Sequence, residues 1–176
     1  ALVAVLEMHG QGNFSDARLN SERFPLARKA GFAHVRSEND LVTPKLADLQ
    51  AYQLSLEAPR PSQGSYDANV AAVGKTLFEG KARCAECHVP PLFTEPGWNL
   101  HTPEEIGIDG FQAERSPEGR YRTTPLRGLF TRAKGGYYHD GRFAQLSDVV
   151  THYDRHFNLG LSSSESASLV EYFKSI

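Results

Sequence analysis

The five residues Cys84-Ala85-Glu86-Cys87-His88 determine how this chain is interpreted. In a Cys-x-x-Cys-His stretch the two thiols can form thioether bonds to a porphyrin, and the histidine that follows can bind its iron as the proximal axial ligand. The stretch therefore predicts a covalently attached c-type haem, with Cys84, Cys87 and His88 as its binding residues. It occurs once in the chain, which predicts a single haem.

A Cys-x-x-Cys pair also occurs in zinc sites and in thioredoxin-like redox centres. His152 and His156, four residues apart, would complete a nominal Cys2His2 set with the two cysteines. The stretch between the two pairs is far longer than the about 12 to 15 residues of a zinc finger, and a chain of this length needs no metal to fold. A redox dithiol would be expected beside a βαβ pattern, which the sequence lacks. Haem is the favoured interpretation.

Composition excludes several function classes. The 176 residues carry a formal charge of −2 and therefore show no basic excess that would indicate nucleic-acid binding. The apolar run of residues 1–6 stops at Glu7, well short of a membrane span. Because haem attachment of this kind takes place outside the cytoplasmic membrane in bacteria, we interpret the sequence as a mature or truncated periplasmic chain, although it shows no secretory signal.

The pattern of apolar and turn residues predicts two parts, an N-terminal arm over residues 1–66 and a haem domain over residues 67–176. Residues 8–40 are polar and glycine-rich and predict an arm or loop. An amphipathic helix is expected to begin with Thr43 as N-cap, and a proline-rich linker follows from Pro59. The apolar face predicted for this helix consists of Leu46, Leu49, Tyr52 and Leu56.

Two helices of the haem domain are expected to cross beside the haem. The first begins at Asp67 and carries Gly74 next to its apolar stripe, and the second begins with the capping box Ser162-x-x-Glu165. A glycine there costs about 1 kcal/mol relative to alanine, which is tolerated where another helix passes closely. Their apolar faces are Val70, Val73, Leu77 and Phe78, and Leu169, Tyr172, Phe173 and Ile176. This arrangement is typical of cytochromes c, so we predict a mainly α, cytochrome c-like fold with long irregular loops.

The sixth iron position decides what a haem does, because a strong second ligand favours electron transfer and an open site admits peroxide or a gas. The stripe of the helix predicted over residues 146–157 centres on Tyr153, and His152 is turned away from it by about 100°. Periodicity alone leaves Tyr153 either a core aromatic or the distal ligand. It also leaves room for His152 as the ligand and for an open sixth position, and the single methionine, Met8, lies in the arm.

Three stretches after the haem motif resemble a known family: Tyr-Arg-Thr-Thr-Pro-Leu-Arg-Gly at residues 121–128, Tyr-Tyr-His-Asp-Gly-Arg-Phe at 137–143 and Leu-Ser-Asp-Val-Val at 146–150. Together with Cys-x-x-Cys-His they resemble the C-terminal haem domain of bacterial di-haem cytochrome c peroxidases. That family includes the di-haem protein that matures the tryptophan tryptophylquinone cofactor of methylamine dehydrogenase. The resemblance runs from about Asp67 to Ile176.

The resemblance implies a pair of iron ligands. In the peroxidases this domain holds the electron-relaying haem, and a methionine fourteen residues after the His-Asp-Gly histidine is the distal ligand. Counting from His139 leads to Tyr153, and the maturation protein is similar in having a tyrosine there. His88 and Tyr153 are thus the implied metal ligands, with His152 as the next alternative.

Two features of the family are not matched. The family binds calcium through carbonyls of a Thr-x-Pro segment, which Lys134-Gly135-Gly136 replaces, and the lysine charge argues against calcium here. Residues 1–66 contain nothing that could hold the second, peroxidatic haem, so no catalytic residue is assigned and enzymatic activity is left open.

Several further residues have two interpretations. Arg122 and Arg127 are either haem-propionate ligands or surface arginines, since a guanidinium matches a carboxylate in a bidentate way. His139-Asp140 is either acid-base machinery or, as we favour, a loop-fixing pair. Trp98 is either packed or placed near the haem edge.

The sequence thus predicts a periplasmic c-type cytochrome that carries one haem and passes electrons to a redox protein partner. The main alternative is the electron-relay half of a di-haem peroxidase-type oxidoreductase, with a second haem domain as its partner. A haem sensor would also carry the motif, and a zinc-held structural protein would use its cysteines.

Overall fold

The computed structural model describes residues 11–36, 38–95, 97, 99–132 and 134–176. The interpretations placed on residues 1–6, on Met8 and on Trp98 fall outside this part of the chain. The fold is mainly helical, as predicted. The chain divides into two compact units between Glu57 and Ala58. None of the helices in the described ranges is long and apolar enough to cross a membrane.

The N-terminal unit contains more regular structure than the sequence predicted. Strands β1 (Phe14–Ser15) and β2 (His34–Val35) pair antiparallel. Helix α1 (Pro25–Ala30) belongs to the segment of the chain that connects them. A proline at the first helical position and Gly31 at the C-cap, with a φ of 71°, give this short helix clear ends. The expectation of an irregular arm over residues 8–40 was therefore wrong for this part.

Helix α2 (Leu46–Ser55) begins later than predicted. A 3-10 turn (Thr43–Lys45) precedes it, and the Asp40 carboxylate, rather than Thr43, accepts hydrogen bonds from the backbone at this end. Asp, like Thr, readily accepts such local bonds, and here the aspartate lies ahead of the turn. Tyr52 and Leu56 remain exposed, so the apolar face predicted for this helix is not buried along its length.

The second unit is built on two crossing helices, α3 (Ala68–Glu79) and α6 (Ser163–Ser175). The predicted caps are confirmed: Asp67 accepts the Asn69 and Val70 amide protons, and Ser162 forms a capping box with Glu165. The two helices pack against each other at Gly74.

The buried face of α3 differs from the predicted stripe. Val73 is 54% exposed, and the fully buried residues are Ala71, Gly74 and Phe78. Small residues allow α6 to approach closely on this face, so the helix is rotated relative to its apolar stripe. The apolar face of α6 is confirmed, with Leu169, Tyr172 and Phe173 buried in the core.

The stretch of sequence between α3 and α6 contains two short strands, two helices and three 3-10 turns in its described part. Strands β3 (Leu100–His101) and β4 (Tyr121–Arg122) pair antiparallel, helix α4 (Pro103–Ile106) follows β3, and α5 (Leu146–Phe157) has the predicted bounds. The remaining elements are the 3-10 turns Cys84–Glu86, Ala113–Arg115 and Leu129–Arg132. As expected, the described part of 89–121 forms no long helix or strand.

Candidate haem site

The Cys-x-x-Cys-His segment follows directly on α3. The chain turns at Arg83, whose φ is 57°, and a 3-10 turn brings the His88 amide to within 2.9 Å of the Cys84 carbonyl oxygen. Both cysteines are half-buried and neither forms a disulfide. Burial raises the pKa of the Cys84 thiol to about 12. A thiol that stays protonated is a poor candidate for the nucleophile of a dithiol redox centre.

The His88 ring is held by a hydrogen bond to the backbone. Its Nδ1 lies 3.0 Å from the carbonyl oxygen of Phe93, and since a carbonyl can only accept, Nδ1 carries the proton. Burial also lowers the pKa of His88, which keeps the ring neutral. The lone pair of Nε2 is therefore available for a metal, the arrangement usual in histidine ligands.

Tyr153 lies on helix α5, is half-buried, and has the rings of Tyr138 and His152 as neighbours. Burial is the main cause that raises the pKa of Tyr153, and the nearby Tyr138 hydroxyl acts in the opposite direction. His152 is half-buried as well, so burial does not separate the two residues, and Tyr153 as distal ligand stays a prediction.

The two histidines of α5 contact the α4 segment. His152 Nε2 lies 3.2 Å from the Ile106 carbonyl oxygen, and His156 Nε2 lies 3.1 Å from that of Glu105. In each case the histidine nitrogen donates to the carbonyl. Each histidine ring of α5 is therefore held by a backbone carbonyl of α4.

The nominal Cys2His2 zinc set is not assembled. Within the described ranges, potential metal ligands gather within 4.8 Å of one another in two groups, Cys87 with Glu95 and His101, and Asp109 with His139 and Asp140. Neither group contains both cysteines or either histidine of α5. The structure therefore argues against this zinc alternative.

Sequence reasoning missed Glu95 and His101. The Glu95 side chain is 8% exposed, and its Oε2 lies 2.5 Å from His101 Nε2 and accepts a hydrogen bond from the Thr123 hydroxyl. These contacts lower the pKa of Glu95 although its burial acts to raise it. Residues 95, 101 and 123 meet only because β3 pairs with β4, and no spacing in the sequence signals that contact.

Arg122 and Arg127 both brace the loop that follows His88. Arg122 Nη2 donates to the Gly97 carbonyl at 3.2 Å, and Arg127 Nε donates to the Pro91 carbonyl at 2.9 Å. Both residues are exposed. A backbone carbonyl carries no net charge, so these hydrogen bonds do not neutralise the two guanidinium groups. The assignment of Arg122 and Arg127 to haem propionates stays a prediction.

The His-Asp-Gly turn is held by ionic contacts. His139 Nε2 lies 3.2 Å from the Asp109 carboxylate, and Arg142 contacts both Asp109 and Asp140. A hydrogen bond from the Phe111 amide, followed by Arg142 and His139, lowers the pKa of Asp109 to about 2. These contacts favour the loop-fixing interpretation of His139-Asp140, with Asp109 as a partner that the sequence did not reveal.

Tyr138 is a further residue that sequence reasoning left unassigned. Its hydroxyl is buried, and burial followed by the influence of Tyr153 raises its pKa far above the ordinary value. An aromatic residue in an irregular turn follows no periodicity, so the sequence offered no signal for its direction.

Comparison with known proteins shows one informative similarity. The chain is 35% identical over 121 residues to the methylamine utilization protein MauG of Methylorubrum extorquens, a match that covers 64% of this chain and 34% of that protein. The chain thus spans about a third of the length of this relative. No protein-family model matches the chain, and no solved structure matches it significantly. The similarity agrees with the resemblance, noted from the sequence, to the family that includes the maturation protein of methylamine dehydrogenase.

Proposed function

We propose that this chain is a c-type cytochrome domain that binds one haem covalently and transfers single electrons to a protein partner. The donor groups fit this cofactor: Cys84 and Cys87 would form the thioethers, and His88 and Tyr153 would be the axial ligands. When bound, the haem supplies one-electron chemistry. Because c-type attachment takes place outside the cytoplasmic membrane, the bacterial periplasm is the proposed location.

The observation that carries this proposal is the orientation of His88, whose Nδ1 is bound to the Phe93 carbonyl oxygen and whose Nε2 is left for a metal next to Cys87 in the chain. Burial raises the pKa of Tyr153 and the two cysteines act in the same direction, which supports a place for Tyr153 near the motif. Two protein ligands would close the iron to exogenous molecules, which favours electron transfer over peroxide or gas chemistry.

The protein groups have separate roles in this function. The Phe93 carbonyl sets the tautomer of His88, and the core that contains the buried rings of Phe78, Phe93 and Tyr172 would supply apolar surroundings to a bound haem and so affect its potential. Arg122 and Arg127 would bind the propionates through guanidinium protons that the backbone leaves unused.

The proposal is tested by expressing the chain in a bacterial host with c-type haem maturation. The purified protein should contain one haem per chain that resists extraction into acidic organic solvent. Cys84→Ser and Cys87→Ser should each remove one thioether, and the double variant should release the haem on extraction. A colourless protein with stoichiometric zinc would overturn the proposal.

The match to a methylamine utilization protein favours a second candidate function. Since the similar region covers 34% of that protein, this chain could serve as the electron-relay part of a larger peroxidase-type oxidoreductase with a second haem domain. Two haems per polypeptide in the natural gene product, together with peroxide turnover, would select this candidate over the single-haem carrier.

A further inference from the structure

The side chain of Tyr138 has a feature that the proposed function does not explain. Within the described ranges, its hydroxyl is the buried side-chain polar atom that makes no hydrogen bond of ordinary length and angle. A buried hydroxyl without a hydrogen bond is destabilising, so native proteins rarely retain one without a partner. This hydroxyl therefore indicates a hydrogen-bond acceptor on that side of the ring.

Aromatic neighbours surround the Tyr138 ring. The Phe143 and His152 rings meet it edge-on, with centroids 4.9 and 5.7 Å away. The Tyr153 ring is 6.3 Å away and tilted by 38°. Tyr138 thus lies beside Tyr153, the proposed distal ligand.

The backbone directs Tyr138 inward despite a steric cost. Its φ is 70°, a region that bulky side chains rarely adopt. Contacts on either side hold this conformation, because the Tyr137 amide donates to the Phe143 carbonyl at 2.7 Å and His139 is bound to Asp109. Strain of this kind is often found at functional sites.

We propose that Tyr138 donates a hydrogen bond to the phenolate oxygen of Tyr153 when Tyr153 binds the haem iron, and that it is a positioning residue that sets the electron-donating strength of this ligand. The inference rests on the proposed function, since it requires Tyr153 as the distal ligand. A neutral hydroxyl that donates to an anionic oxygen forms a strong, charge-assisted bond.

This hydrogen bond affects the equilibrium between the ferric and ferrous states. A phenolate stabilises ferric iron because it is anionic, and a donated proton withdraws part of that charge. Removing the donor strengthens the preference for the ferric state. Hydrogen bonds to charged groups are stronger than those between neutral groups, so losing the part of this interaction that distinguishes the two oxidation states should lower the equilibrium constant for reduction roughly tenfold.

The test is a potentiometric titration of the haem-loaded protein and four variants. Tyr138→Phe keeps the ring and its packing and removes only the hydroxyl. Tyr137→Phe is the matched control, since the Tyr137 ring packs against the hydrophobic core. Tyr153→Phe and the double variant Tyr138→Phe/Tyr153→Phe complete a double-mutant cycle.

We expect Tyr138→Phe to make reduction about tenfold less favourable and Tyr137→Phe to leave it unchanged. The effect of Tyr138→Phe should vanish when position 153 is already phenylalanine. An unchanged potential in Tyr138→Phe, or the same shift in both backgrounds, would overturn the inference while leaving Tyr153 as ligand. Failure of Tyr153→Phe to alter the ferric spectrum would instead show that the underlying ligand assignment is wrong.

Discussion

His88 and Phe93 link the proposed metal ligand to the hydrophobic core. The Nδ1 of His88 lies 3.0 Å from the Phe93 carbonyl oxygen, and the Phe93 ring packs edge-on against Phe78 and Tyr172 at centroid distances of 5.9 and 6.5 Å. A ligand held through a core residue keeps its orientation when the oxidation state of the metal changes, because the packed core resists displacement.

Replacing His88 should remove the proximal ligand while the thioethers retain the haem. In His88→Gly we expect covalent haem with a ferric spectrum altered from the wild type, because one axial bond is lost. Added imidazole should restore the wild-type absorption and electron paramagnetic resonance spectra by occupying the space of the missing ring. His101→Gly, which removes a nearby histidine outside the motif, is the control, and an equal imidazole response there would contradict the assignment.

Tyr153→Phe should change the ferric spectra and make reduction more favourable, because the loss of an anionic ligand removes stabilisation of ferric iron. Absorption, electron paramagnetic resonance and the midpoint potential measure this change. His152→Ala provides the comparison, since the His152 ring is hydrogen-bonded to the Ile106 carbonyl. If His152→Ala alters the ligand signal and Tyr153→Phe does not, His152 is the distal ligand.

Gly74→Ala should destabilise the crossing of α3 and α6. A Cβ atom at this position would lie 2.6 Å from the Ser168 carbonyl carbon and 2.8 Å from Tyr172 Cβ. Alanine favours a helix by about 1 kcal/mol, but overpacking costs about 1 to 3 kcal/mol, and a rigid backbone neighbour places this case at the upper end. We expect a net loss of about 2 kcal/mol in the free energy of unfolding.

Denaturant unfolding of the haem-loaded protein checks this value. Ala72→Ser, on an exposed position of the same helix, is the control and should change stability by less than about 1 kcal/mol. An increase in stability for Gly74→Ala would contradict the prediction, because it would show that α3 and α6 can move slightly apart at this point without losing packing energy.

Asp109→Asn should weaken the clamp on the His-Asp-Gly turn in a pH-dependent way. The folded pKa of Asp109 is about 2, below the ordinary value, because the Phe111 amide, Arg142 and His139 favour its charged form. A lowered folded pKa adds stability above the unfolded pKa of about 3.9, and this stability is lost as the pH falls toward about 2.

The melting temperature of Asp109→Asn should therefore lie below that of the wild type at neutral pH, and the gap should close between about pH 4 and pH 2. Thermal unfolding followed by circular dichroism measures the gap. Asp48→Asn, in the first turn of α2, is the control for the loss of a surface carboxylate and should change the melting temperature less. A gap that stays constant over this range would contradict the role assigned to Asp109.

Local features of the sequence predicted the parts of the molecule that depend on local chemistry. The caps at Asp67 and Ser162, the bounds of α5 and the close approach at Gly74 were predicted correctly, because capping and helical periodicity act within a few residues. The rotation of α3 that exposes Val73 was not predicted, since it depends on which residues α6 meets.

The sequence by itself determined the candidate haem-attachment motif and the bounds of α5, because the spacing of residues along one turn or one helix is written in the chain. Only the tertiary structure decided that Glu95 meets His101, that Asp109 binds the His-Asp-Gly turn, and that the Tyr138 hydroxyl is buried beside Tyr153. Those contacts join irregular segments far apart in sequence, and such segments carry no periodic pattern from which their meeting could be predicted.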